Sequence, residues 1–245
     1  MFQRLVWLLL ILLILFLIGN WAYRHFIQPP PPGIVIPTPP VIPPGPPPVL
    51  KPVPPKHVEK LLDSIQEQVK ITRAYDPSYV RLKYPGGDVP ETTGVCADVI
   101  VRAFRSQGVD LQQALHEDMK RNFSQYPKKW GMKAPDPNID QRRVYNLMKF
   151  FERKGKSLPV TYDAADYLPG DVVAWDLGNG QGHIGIVTHY KTADGRPLMG
   201  HNIAYGTNIE DALFFWPIIG HYRYFNASAD VNAAPRGHTT TGLPR

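Results

Sequence analysis

Pro169-Gly170-Asp171-Val172-Val173-Ala174-Trp175 marks the point at which the chain changes its periodicity. A Pro-Gly turn signal leads straight into a short run rich in β-branched and aromatic residues. The same pattern repeats to the end of the ordered-looking sequence. Segments 171–175, 183–189, 198–203 and 221–225 are short, β-rich and separated by turn signals such as Ala193-Asp194-Gly195. Upstream of Pro169 the spacing is helical. Val58, Leu61, Leu62, Ile65 and Val69 recur every three or four residues. A second helix is predicted over 94–107, stopped by Gly108, with Val99, Ile100, Ala103 and Phe104 as its apolar face. Asp110 is placed to cap a third through Leu111, Leu115 and Met119. Val144, Leu147, Met148 and Phe151 mark a fourth, ended by Gly155. Helices followed by a run of strands predict an α+β domain, with N-terminal helices packed on an antiparallel sheet.

Working outward from that domain, the flanks have their own physics. Residues 5–19 are almost purely apolar, and no charge falls between Arg4 and Arg24. With Trp21 and Tyr23 added, the stretch approaches the ~20 residues that span a bilayer. A cleaved signal peptide is the rival, but Ile18-Gly19-Asn20-Trp21-Ala22 lacks a small-x-small cleavage site. Trp21 and Tyr23 also suit a membrane interface. Residues 1–23 are therefore expected to be an uncleaved transmembrane anchor, amino end inside and domain outside. Residues 24–56 form a linker, and 15 of the 27 prolines fall within 29–55. Proline fixes φ and removes donors, which favours polyproline II. At ~3.1 Å per residue that stretch reaches on the order of 80 Å. A spacer holding a domain off a membrane fits best, and a disordered, protease-sensitive linker or a ligand for a proline-reading module is the alternative. Residues 57–226 hold the domain, and 227–245 are an expected disordered tail.

Charge and cysteine count exclude several classes. The chain of 245 residues carries a net charge of +6. Six of the 27 Lys and Arg and one of the 21 Asp and Glu lie outside 57–226, leaving 21 against 20 in the domain. The basic balance belongs to the flanks, so no nucleic-acid partner is expected. One cysteine rules out an internal disulfide framework and multi-cysteine metal clusters. His116, Glu117 and Asp118 lack a short ligand pair such as His-x-x-x-His, so neither metal nor cofactor is expected.

The single cysteine lies in Thr92-Thr93-Gly94-Val95-Cys96-Ala97-Asp98, the predicted start of the second helix. Thr92 or Thr93 is placed to cap that helix. A thiol there feels the positive end of the helix dipole and free N–H groups, which favour the nucleophilic thiolate and receive an oxyanion. Taken alone, a lone cysteine is more often a small buried hydrophobe. A base alters that balance. Gly182-His183-Ile184-Gly185-Ile186-Val187 opens a strand whose alternation puts His183, Gly185 and Val187 on one face. One hairpin later, Gly200-His201-Asn202 can bring a polar group against the His183 ring. Thiol, base and orienting group are the parts of a nucleophilic triad.

In order, Tyr84-Pro85-Gly86-Gly87, Gly94-Val95-Cys96-Ala97-Asp98, Pro169-Gly170-Asp171, Gly182-His183-Ile184-Gly185 and His201-Asn202 resemble the NlpC-type cysteine peptidases. That resemblance implies a compact papain-like fold and hydrolysis of bacterial cell-wall peptide stems. Over 58–225 the chain more closely resembles a bacterial domain-of-unknown-function family in that superfamily. His116-Glu117-Asp118-Met119, Asn138-Ile139-Asp140-Gln141-Arg142-Arg143 and Gly220-His221-Tyr222-Arg223-Tyr224 carry this second likeness. The resemblance implies Cys96 as nucleophile, His183 as base, His201 as orienter and Tyr84 as an oxyanion donor. The superfamily usually reads Asp-Cys-Ser-Gly at the nucleophile, whereas this chain reads Val95-Cys96-Ala97-Asp98. Residues 109–145 have no counterpart in the compact enzymes.

Asp98, Arg142, Arg143 and Asn202 stand as substrate-contact candidates, the arginines because a guanidinium grips a carboxylate with paired hydrogen bonds. A structural ion pair is the alternative for each arginine. The expectation is a single-pass protein of the bacterial inner membrane with its hydrolase domain in the periplasm. Its partners would be a cell-wall peptide substrate, the inner membrane through residues 5–23, and an envelope protein. A non-catalytic envelope binding module on the same fold, or a hydrolase of another amide or thioester, remains open.

Overall fold

The computed structural model describes residues 53–178 and 180–226. The expected anchor, nearly all of the linker and the tail lie outside those residues. No helix of the described residues is long and apolar enough to cross a membrane.

The four predicted helices form. A 3-10 turn (Lys56–Val58) leads into α1 (Glu59–Ile71), and α2 (Cys96–Ser106), α3 (Leu111–Asn122) and α4 (Val144–Arg153) follow. Asp110 caps α3 as expected, its carboxylate accepting the Gln112 N–H at 3.1 Å. Thr92 and Thr93 do not cap α2. Thr93 is drawn instead into a two-residue strand β2 (Thr93–Gly94), which pairs in parallel with β1 (Ala74–Tyr75). The cap is supplied from inside the helix: Asp98 reaches back to accept the Val95 N–H at 2.7 Å.

The main sheet is antiparallel throughout, with strands β3 (Val172–Asp176), β4 (Gly182–Lys191), β5 (Pro197–Asn202), β6 (Thr207–Glu210) and β7 (Ile218–Tyr222) in the order β6-β5-β4-β3-β7. Strand β7 starts three residues ahead of the predicted 221–225. Strand β6 was not expected, because Thr207-Asn208-Ile209-Glu210 shows too little apolar alternation to announce a strand.

The sheet separates two cores, as its pleat requires. Val172, Ala174, Ile184 and Ile186 face the helices, joined by Leu61, Ile65, Ile100, Phe104 and Phe151. Val173, Trp175, Val187 and Met199 face the other way, against Leu213 and Ile218. Glycine sets how closely the helix layer approaches. A Cβ on Gly200 would lie 2.5 Å from Ile65 Cγ2, so α1 can rest on β5 only where that side chain is missing.

Candidate active site

The chain enters α2 through β2, and Asn202 fastens that entry to the main sheet. Its Nδ2 donates to Gly94 O at 3.0 Å and to Ala74 O at 3.4 Å. The site therefore rests on backbone held by two sheets. Cys96 is the first residue of α2 and is 3% exposed. It forms part of the floor of an open cleft of about 480 Å³, whose walls include Tyr75, Tyr79, Trp130, Arg143 and Tyr145. Burial pushes the Cys96 thiol up to about 11. Hydrogen bonding from the Ile184 and Ala97 amides and from the Tyr75 hydroxyl pulls the other way, while the Asp98 charge adds to the rise. The sulfur is therefore a thiol and not the thiolate expected at a helix terminus: the expected donors are present, but desolvation outweighs them.

His183 opens β4 directly across from Trp175. The imidazole stacks on the Trp175 indole with centroids 5.6 Å apart and meets Trp216 edge-on at 5.7 Å. Gly185 leaves room for this: a Cβ there would lie 3.1 Å from the Trp175 ring. His183 Nε2 lies 2.7 Å from His201 Nδ1. His201 Nε2 in turn lies 2.9 Å from Glu210 Oε1, close but off line for a linear hydrogen bond. These partners assign the tautomers. A carboxylate beside His201 Nε2 calls for N–H at that nitrogen. His201 Nδ1 is then the acceptor, His183 Nε2–H donates to it, and His183 Nδ1 keeps its lone pair as a base. Burial, with His201 beside it, holds the His183 pKa well below the ordinary histidine range. Glu210 is held below the usual carboxylate range, chiefly by its contact with His201.

The sulfur and the base converge on one short stretch of β4. The amide of Ile184 faces the sulfur, and His183 is the preceding residue. Cys96 nevertheless belongs to the helix-side core, while the aromatic neighbours of His183 belong to the opposite one. No hydrogen bond links the sulfur to the imidazole; the ring bonds to His201.

Other expected site residues fall elsewhere. The Tyr84 hydroxyl donates to Glu117 at 3.0 Å, and its ring packs edge-on against His116 at 5.1 Å. The tyrosine at the sulfur is Tyr75. Arg142 is a structural ion pair. Its guanidinium donates to Asp98 at 3.0–3.1 Å, to Ser78 O at 2.7 Å and to Asp76 O at 2.8 Å, which occupies its fork and the Asp98 carboxylate together. Asn202 spends its amide on backbone carbonyls, as above. Of the four substrate-contact candidates, Arg143 alone presents free donors to the cleft: its Nη1 bonds Asp140 at 3.0 Å, and Nε and Nη2 have no partner among the described residues. Asp118 is committed to Arg153, Lys154 and Tyr126. Among the described residues, no group of three or more His, Cys, Asp or Glu side chains is arranged to ligate a metal.

Sequence reasoning missed Tyr75 and Glu210. Tyr75 sits in a two-residue strand with no periodicity to flag it, and Glu210 sits in the unexpected strand β6.

The fold and site together define an α+β domain with a lone cysteine at a helix N-terminus beside a strand whose histidine pairs with one on the next strand. The chain belongs to the family described as domain of unknown function DUF1287, whose model matches residues 62–224. It is 53% identical over 165 residues to a protein of Escherichia coli (strain K12) described as uncharacterized protein YijF, covering 67% of this chain and 80% of the relative. Among solved structures, it is similar to a Staphylococcus aureus subsp. aureus Mu50 protein described as similar to lipoprotein, NLP/P60 family. The identity there is 12% and the TM-score 0.34, over 73% of this chain and 44% of the other. The chain thus spans less than half of that protein, and no residue correspondence is drawn from it.

Proposed function

We propose that the domain is a papain-like, NlpC-type cysteine hydrolase of the bacterial envelope that cleaves an amide bond, with peptidoglycan stem peptide as its substrate. The observation that carries this is the Glu210–His201–His183 chain, which ends one residue from the amide that faces the Cys96 sulfur. In the resting state thiol and imidazole are both neutral. Catalysis then needs a rearrangement at the start of β4 that brings Sγ and His183 Nδ1 together, because the resting structure holds them in different cores. His183 takes the thiol proton as sulfur attacks the carbonyl and returns it to the leaving amine. His201 holds the ring, and Glu210 holds His201. The amide of Ala97 and the hydroxyl of Tyr75, both facing the sulfur, are the nearest donors to an oxyanion forming on a carbon bonded to it. Residues 5–23 anchor the chain in the inner membrane, and the proline linker holds the domain out in the periplasm, within reach of wall and of envelope partners.

Incubating the full chain and its Cys96→Ala variant with purified muropeptides tests this. Cleavage products by mass spectrometry are expected from the first and absent from the second. A chain that yields no Cys96-dependent product lacks the activity.

The burial of the thiol favours a second reading, in which the same fold binds envelope ligands without turnover. Muropeptide binding that is identical in the Cys96→Ala variant, with no product from either protein, identifies that case.

A further inference from the structure

We propose that the cleft over Cys96 selects substrates bearing a free carboxylate, gripped by Arg143 beside the indole of Trp130, with Lys129 adding positive charge at the rim. This rests on the hydrolase reading above and names the chemistry its substrate must carry. Beside Cys96, residues 130, 139 and 142–145 supply much of the cleft lining. Trp130 is 52% exposed and adopts φ 63°, ψ 21°, a left-handed backbone that bulky L residues rarely take. Its indole is thereby held out at the cleft instead of being packed in a core.

One cation lies at the indole and a second at the cleft rim. The Arg143 guanidinium lies 4.7 Å from the Trp130 ring centroid, and its Nε and Nη2 carry no hydrogen bond among the described residues. The Lys129 ammonium sits 3.6 Å over the Tyr145 ring and has no carboxylate within salt-bridge distance among the described residues. Tyr145 is itself pinned by its hydroxyl, which donates to Gly180 O at 2.9 Å on the cleft rim.

The nearby carboxylates leave donors over. Asp98 is matched by Arg142. Asp140, fully buried, takes only Nη1 of Arg143, and Asp136 faces the same guanidinium while accepting from Tyr79 and Asn138. An aromatic platform beside a guanidinium with free donors, and an ammonium at the rim, suits a carboxylate on an apolar or amide-bearing backbone.

The test separates binding from turnover. The Cys96→Ala full chain is titrated with two synthetic stem peptides, one with free carboxylates and one with every carboxylate converted to carboxamide. Calorimetry should show the acid binding ~10-fold or more tightly. Arg143→Gln and Lys129→Gln should each shrink that ratio, Arg143→Lys should restore part of it, and the double variant should abolish it. Lys129 is exposed, so its variant keeps the fold, as an unchanged Tm would verify. Equal affinity for acid and amide, discrimination that survives in the double variant, or no binding of either peptide overturns the inference. Acid-selective binding without turnover by the Cys96-intact chain leaves it standing and removes the hydrolase reading. Turnover without acid selectivity does the reverse.

Discussion

Cys96 is the residue at which two physical effects oppose each other. The helix amide of Ala97, the strand amide of Ile184 and the Tyr75 hydroxyl stabilise negative charge on the sulfur, while nearly complete burial removes the water that would do so better. Burial wins, and the thiol stands at about 11. The consequence can be read kinetically. Below its pKa a thiol gains about tenfold in thiolate for each pH unit. Alkylation of Cys96 by iodoacetamide should therefore keep accelerating from pH 7 to pH 10. A rate that levels off by pH 7.5 would show a preformed thiolate–imidazolium pair and contradict the neutral resting state. Tyr75→Phe should slow alkylation further at fixed pH, whereas Tyr84→Phe should leave it unchanged, because Tyr84 is engaged with Glu117. The sequence announced the sulfur at the helix start, since a lone cysteine after a Thr-Thr-Gly turn is a local signal. It could not announce the desolvation, which depends on how β4 and β1 close over that turn. Nor could it separate Tyr84 from Tyr75, because both precede the cysteine and only the fold decides which one faces it.

At the scale of elements, the entry to α2 is held by a buried ion pair and the base by a hairpin. Asp98 caps α2 from within and is matched by Arg142, with the two side chains 4% and 2% exposed. Removing one partner of such a pair strands the other charge. Arg142→Met should cost roughly 3–5 kcal/mol of stability, measured by denaturant unfolding. A loss below ~1 kcal/mol would mean that Asp98 takes up a proton at little cost. The β5–β6 hairpin carries His201 and Glu210. Replacing Glu210 with Gln keeps the shape and removes the charge that orients His201. The expected result is a ~10-fold or larger fall in kcat with KM little changed, an altered acid limb of the pH–rate profile, and a Tm close to the parent's. Unchanged kcat would exclude Glu210 from the relay. The helices were legible because their apolar stripes repeat every three or four residues over several turns, as in Leu61, Leu62 and Ile65. The strands carrying His183 and His201 were legible from β-rich runs bounded by glycine. Strand β6 was not, because its four residues acquire strand character only by pairing with β5, as in His201 with Asn208. Glu210 went unseen with it.

On the scale of the whole molecule, the buried ionisable groups predict how the fold responds to acid. His183, His116 and His189 all have pKa values depressed by burial. Each is neutral in the native state and gains a proton on unfolding once the pH falls below its unfolded value near 6.5. Their contribution is therefore fully present above about pH 6.5 and is lost as the pH falls toward their native values. Asp98 and Asp140 act in the opposite sense. Burial raises both, so the native state holds their protons more readily than the unfolded chain, and what they contribute is lost as the pH rises through the native value, about 6 for Asp140. Between pH 7.5 and 6 the histidines dominate, because Asp140 is still largely ionised there. Below pH 6 the two sets oppose each other until Asp118 enters. Burial raises its carboxyl, but Arg153, Tyr126 and Lys154 together hold it at about 2, so its contribution is lost as the pH drops below about 3.8. Denaturant midpoints should thus fall from pH 7.5 to 6, flatten between 6 and 4, and fall again below 4. His183 is the most deeply buried of the three histidines, so His183→Gln should flatten the first fall more than His116→Gln or His189→Gln. An unaltered slope in His183→Gln would mean that its imidazole is protonated in the native domain. That result would also withdraw the neutral base from which the proposed catalysis starts.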